Sequence, residues 1–149
     1  MATISRTRTV TAPAERVWEV LADFGAISSW APNVDHSCLL EHGEDTAEIG
    51  TTRRVQVGRN ALVERIVTSC PPTLLAYDIE GLPKRLRRVV NQWRLEPAGA
   101  GTEVTLTTTV EIAANPIAHI AERALCRFMA SQSDTMMAGL AQRVEDTRA

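Results

Sequence analysis

Polar side chains on otherwise apolar, alternating stretches mark where this chain could do chemistry. Asn91 is the sharpest of them. It shares a strand face with Val89, Trp93 and Leu95, and a buried amide without a partner costs roughly 2–7 kcal/mol. It must bond to a backbone group or present a hydrogen bond to a ligand carbonyl or hydroxyl. Tyr77 shares a face with Leu75 and Ile79. Its hydroxyl and the Trp93 indole N–H need partners when buried, and the protein wall or a ligand would serve equally. His36 could act as acid or base near neutral pH, or sit on the rim of a cavity. Glu64 lies between Leu62 and Ile66 and could face inward, with a salt bridge to Arg53, Arg54 or a neighbouring strand as its alternative fate.

Other chemistries leave no trace. The chain has no phosphate-binding glycine loop, HExxH, nucleophile elbow or dinucleotide fingerprint, and no spacing links its Ser, His and Asp residues. Cys38, Cys70 and Cys126 form no CxxC pair and no Cys/His ligand pattern, and read as small buried hydrophobes. No metal, cofactor or structural disulfide is expected. The run from Lys84 to Arg88 could hold an acidic headgroup or touch RNA or an anionic membrane, but a solvated basic loop is its default reading. The net charge of −2 gives no general attraction to nucleic acid.

The elements that must position these residues follow from periodicity. The chain has 149 residues, with 44% hydrophobic and 23% charged, which suits one domain, 1–149, with one core. Strands are predicted over 3–11, 34–41, 51–57, 61–69, 74–80, 89–96 and 102–112. Pro13 opens a short helix whose stripe is Val17, Trp18, Leu21 and Phe24, and Ala26 to Trp30 forms one more turn before Pro32. Asn115-Pro116 starts a long helix running to about residue 143, with Phe128, Met129 and Met136 on its buried side and Glu122 and Arg123 on its wet side. On the second strand the more apolar face, His36, Cys38 and Leu40, is expected inward. A sheet wrapped around a helix leaves a cavity between them. No stretch approaches the roughly 20 apolar residues of a membrane span, and the N-terminus lacks a signal-peptide core, so a cytoplasmic protein without stable membrane insertion is expected.

Several of these features together resemble the START-like (SRPBCC) superfamily, which includes polyketide cyclase/dehydrase and lipid-transport proteins. They are Ala12-Pro13 with Val17-Trp18 and Leu21 to Asp23, the Trp30-Ala31-Pro32 stop, Glu64-Arg65-Ile66, Tyr77-Asp78-Ile79, and Trp93-Arg94-Leu95 followed by Gly101-Thr102-Glu103-Val104. The resemblance covers nearly the whole chain. It implies an α+β helix-grip fold: about seven curved antiparallel strands gripping the C-terminal helix, with two short helices after the first strand and a pocket between sheet and helix. It also implies that Trp30, beside its proline turn, borders that pocket. The fold alone does not select a function.

The expected function is binding of a small hydrophobic molecule, a lipid, polyketide or related metabolite, in the cavity. Trp30, His36, Cys38, Tyr77, Asn91, Trp93, Phe128, Met129 and Met136 are the candidate ligand-binding residues. Three of the four methionines lie in the terminal helix, and Met adapts to varied apolar ligands. The alternative is an aromatase/cyclase-like enzyme in the same cavity, with Asn91, Tyr77 and His36 as polar participants. The partner expected is a small hydrophobic ligand, not nucleic acid, and the sequence leaves the oligomeric state open.

Overall fold

The computed structural model describes residues 2–82, 86–112 and 118–146. The Asn115-Pro116 helix start, residues 83–85 of the basic loop, and the side chains of Glu122, Arg123 and Cys126 lie outside that description. Strand β1 (Ala2–Val10) is followed by helix α1 (Ala14–Ala22) and a 3₁₀ segment (Phe24–Ser29). Then come β2 (His36–Glu41), β3 (Thr52–Val57), β4 (Asn60–Cys70), β5 (Leu74–Glu80), β6 (Leu86–Ala98), β7 (Gly101–Ile112) and helix α2 (Ala118–Glu145). The strands form one antiparallel sheet in the order β1-β7-β6-β5-β4-β3-β2. Each predicted strand is present, and so is the helix-grip architecture.

Alternation fixes which face is inside. Val104, Leu106, Thr108 and Val110 of β7 are buried, as are Val89, Asn91, Trp93 and Leu95 of β6 and Leu75 and Tyr77 of β5. The outer face carries cross-strand threonine and serine contacts such as Ser5 with Thr107 and Thr7 with Thr105. Strand β6 runs further than the periodicity predicts, to Ala98, which pairs with Gly101. Its Pro97 is tolerated because β5 pairs with β6 no further than Arg94, so no ladder bond on that side needs an N–H.

Strand β2 presents the opposite face to the one its composition suggests. His36, Cys38 and Leu40 are exposed, while Ser37 and Leu39 point in. The reason is hydrogen bonding. The Ser37 hydroxyl donates to Gly25 O at 2.7 Å and accepts from Ser28 N at 3.0 Å, satisfying backbone groups of the 3₁₀ segment. Cys70 is also exposed, so neither Cys38 nor Cys70 is the buried hydrophobe expected, and both are free thiols.

Helix α2, about 42 Å long at 1.5 Å per residue, buries Met136, Met137, Leu140, Ala141 and Val144. Phe128 is 56% exposed, against expectation. Met129 lies two turns from Met136 and stays close to the buried stripe. Phe128 is rotated by about 100° from Met129 and leaves it. Ion pairing of Arg6 with Asp134 (2.9 Å) and bonds from Thr11 N and Oγ1 to Glu145 Oε2 (both 2.9 Å) tie the helix to the β1 side.

Gly139 is where α2 crosses the end of the 3₁₀ segment. A Cβ there would lie 2.2 Å from Trp30 O and 2.6 Å from Pro32 Cδ. Replacing glycine by alanine inside a helix ordinarily stabilises by up to about 1 kcal/mol. Here the sign should reverse: Gly139→Ala is expected to lower the urea midpoint, and a raised midpoint would show that the helix does not pass so close.

Candidate functional site

The interior between sheet and helix divides into a packed block and a cavity. The block is organised around Arg53, 2% exposed. Arg53 stands opposite Glu64 in the β3–β4 register. Its Nε donates to Glu64 Oε1 at 2.8 Å, and its Nη1 donates to Phe24 O at 2.8 Å. Nη2 sits 2.6 Å from the same Glu64 oxygen but off the line a hydrogen bond needs, so that contact is charge attraction. The guanidinium plane covers the Phe24 ring at 3.7 Å and approaches the Tyr77 ring at 4.7 Å. Phe24 and Tyr77 meet edge to face at 5.4 Å, as do Trp30 and Trp93 at 6.0 Å. Of the two fates open to Glu64 in the sequence, both occur: it faces inward and it pairs with Arg53.

The polar tips of Tyr77, Asn91, Trp93 and Thr108 satisfy one another, while Trp30 Nε1 finds no partner among the described residues. Tyr77 Oη accepts from Trp93 Nε1 at 3.3 Å and from Asn91 Nδ2 at 3.4 Å. Thr108 Oγ1 donates to Asn91 Oδ1 at 2.6 Å. Burial pushes the Tyr77 phenol above its ordinary value, the negative charge of Glu64 adds to that, and Arg53 with the two N–H donors opposes it.

Beyond the block lies a cavity of about 90 Å³. Among the described residues its sheet wall is Val55, Val57, Leu62, Glu64, Ile79 and Asn91. Phe128, Met129, Gln132 and Met136 of α2 form the opposite wall, with Ile27, Asn33, Val34 and Leu82 at the ends. The cavity is partly open, and Phe128 is the exposed residue among those lining it. Asn33 Nδ2 donates to Gln132 Oε1 at 2.7 Å, linking the loop before β2 to the helix.

Of the nine candidate residues, Asn91, Phe128, Met129 and Met136 come together on this cavity. Tyr77 and Trp93 do not line it: their rings pack against Phe24 and Trp30, and their polar tips are used within the block. Trp30 instead borders a separate groove of about 170 Å³ whose walls include Arg16, Glu19, Asp23 and Arg143. That groove is charged and open, poorly suited to an apolar ligand. His36 and Cys38 are on the outer face of β2. The β3–β4 wall was missed in the sequence, although Val55 and Val57 share a face; it is the two-residue turn Gly58-Arg59 that places Arg53 opposite Glu64. Among the described residues no three His, Cys, Asp or Glu side chains gather as metal ligands would, and no helix is long and apolar enough to cross a membrane.

Tyr77 is the sole tyrosine, which makes its ionisation directly visible. An acid held above its ordinary pKa of about 10 in the folded state keeps its proton while the unfolded chain loses it, so stability falls as pH rises through about 10 and beyond. Tyrosinate absorbance should therefore appear together with loss of circular dichroism on alkaline titration, and Tyr77→Phe should weaken that alkaline loss. Ionisation of a fully folded protein at pH about 10 would contradict the buried network.

Similarity to known proteins agrees with this architecture. A model of the family described as polyketide cyclase / dehydrase and lipid transport matches residues 1–145. The fold is similar to that of the Zhui aromatase/cyclase from Streptomyces sp. R1128, with 23% identity, TM-score 0.79, and coverage of 97% of this chain and 93% of that one. A protein from Thermus thermophilus matches with 20% identity and TM-score 0.81 over 99% and 100% of the two chains. A START superfamily protein from Mycobacterium smegmatis matches with 16% identity and TM-score 0.75 over 96% and 97%. No curated protein matches the chain by sequence. With the family model spanning all but the last four residues and the grip of sheet on helix in place, the chain belongs to the polyketide cyclase/dehydrase and lipid-transport family.

Proposed function

We propose that this protein binds a small hydrophobic molecule in the cavity between β3–β6 and helix α2. The observation that carries the reading is the composition of the wall: short branched side chains on the sheet, two methionines and Phe128 on the helix, and only a few polar groups. Ligand sites are commonly built in this way. Family membership supports the same reading.

Size narrows the ligand. An apolar cavity of about 150 Å³ holds benzene, so a cavity of about 90 Å³ is tight even for a single ring or a short acyl chain. A multi-ring polyketide would require displacement of the methionine side chains, which are flexible enough to move.

The aromatase/cyclase alternative has less behind it. It drew on Asn91, Tyr77 and His36 together. His36 lies on the outer face of the sheet, and Tyr77 is sealed behind the cavity wall. Asn91 alone of the three reaches the cavity.

Met136 is buried on the helix wall. Met136→Trp should fill the cavity at an overpacking cost of about 1–3 kcal/mol, and should abolish binding of toluene followed by NMR titration. Undiminished toluene binding in a folded variant would place the site elsewhere. A turnover assay on polyketide-like substrates gives the opposing outcome: activity lost in Asn91→Leu while toluene still binds would replace the carrier reading with the cyclase one.

A further inference from the structure

We infer that Glu64 determines which head group the ligand carries: a neutral molecule with a hydroxyl or N–H donor, seated against Glu64 Oε2, in preference to a carboxylate. The inference rests on the cavity being a ligand site and adds the chemistry of the buried end of the ligand.

Glu64 is 5% exposed and is one of the residues lining the cavity. Its Oε1 takes both contacts from Arg53. Among the described residues Oε2 accepts no hydrogen bond, yet it is not sealed off as a buried orphan. A carboxylate paired with arginine is an acceptor only. An acceptor turned toward an apolar space is incompletely satisfied until a donor arrives.

Arg53 itself is not on the cavity wall. Its Nε and Nη1 are committed to Glu64 and Phe24 O, and rings lie against its guanidinium plane. A ligand therefore meets the negative edge of the ion pair without reaching the positive one. A carboxylate head group would face a like charge across a low-dielectric space, where such repulsion is strong. The sealed wall atom without a partner among the described residues is Asn33 Oδ1, again an acceptor, and the donor left over, Gln132 Nε2, is on the half-buried helix wall and not beside Glu64 on the sheet. Asn91 Oδ1 is taken by Thr108.

The test compares three probes of matched size, para-cresol, toluene and benzoate, by NMR titration at neutral pH. In the parent protein para-cresol should bind about tenfold or more tighter than toluene, as expected for a hydrogen bond to a charged acceptor, and benzoate should bind weakest. In Glu64→Gln the side-chain oxygen can remain on Arg53 while the amide N–H₂ turns to the cavity. The preference for para-cresol over benzoate should then fall by about tenfold or reverse. Should that variant fail to fold, the double substitution Arg53→Met/Glu64→Met replaces the pair with apolar side chains, and para-cresol should lose its advantage over toluene. Equal binding of para-cresol and toluene by the parent, or the same preferences in the folded variants, would overturn the head-group inference and leave the cavity reading intact. If none of the three probes binds, the cavity reading fails and this inference fails with it.

Discussion

The Arg53 guanidinium is the constraint on which the interior depends. One planar group holds three elements: Glu64 on β4, the Phe24 carbonyl at the start of the 3₁₀ segment, and the Tyr77 ring on β5. Lysine could supply the charge but not the fork or the flat face. Removing two ions from water costs several kcal/mol each, and breaking such a pair by removing one partner typically costs about 3–5 kcal/mol. The pair is thus weak as a source of net stability and strong as a specifier of position. A one-residue slip of β3 against β4 would send Arg53 to the outer face. Phe24 would then lose the guanidinium from its ring and the donor to its carbonyl, and the 3₁₀ segment would be left with its Ser37 anchor.

That anchoring decides where empty space remains. Phe24, Tyr77, Trp30 and Trp93 fill one part of the interior with large rings in edge-to-face contact. Their polar atoms mostly close on one another, with Asn91 and Thr108 completing the set. On the neighbouring stretch of β3, β4 and β5 the inward residues are Val55, Val57, Leu62 and Ile79, which are shorter. The helix opposite offers Met129 and Met136, while the ring it adds, Phe128, is mostly in solvent. Short branched chains on one wall and slender ones on the other do not meet, and the cavity is the difference. Four packed rings therefore mark the filled half of this interior, whereas the cavity carries a single ring, the largely exposed Phe128.

The same distinction explains what could be read in the sequence. Strand number, the long terminal helix and the inward faces of β5, β6 and β7 follow from periods of two and 3.6, which are local properties. The Arg53–Glu64 pairing needs the two-residue turn Gly58-Arg59, with Val57 opposite Asn60, whereas strands over 51–57 and 61–69 leave a three-residue turn and set Arg53 opposite Arg65. Nor is the orientation of β2 legible, because Ser37 faces inward to serve backbone groups of another element, and counting apolar residues gives the wrong sign. Size and apolarity place Phe128 on the buried stripe, but one residue turns a helix by about 100°. Alternation marks Tyr77 and Trp93 as buried with polar tips, but which partner each tip finds depends on three strands lying side by side. Gly139 gave no signal at all, since its neighbour Trp30 O is more than a hundred residues away in the chain.

The helix is held unevenly along its length, and this bears on how the cavity could admit a ligand. From Ser133 to Val144 it buries a continuous stripe and, at Gly139, presses against the Trp30 backbone. Any displacement of that half exposes several large side chains, at roughly 1.5–3 kcal/mol for each one fully exposed. From Phe128 to Gln132 the helix wall is already partly in solvent, and the bond between Asn33 and Gln132 is the polar tie recorded there. Breaking one neutral hydrogen bond in a half-wet setting costs about 0.5–1.5 kcal/mol. Opening is therefore cheapest at the Phe128 end, where the lining is most exposed, while Glu64 lies beside the Arg53 block on the sheet wall. A ligand entering there would advance its head toward Glu64 and leave its apolar end among the methionines.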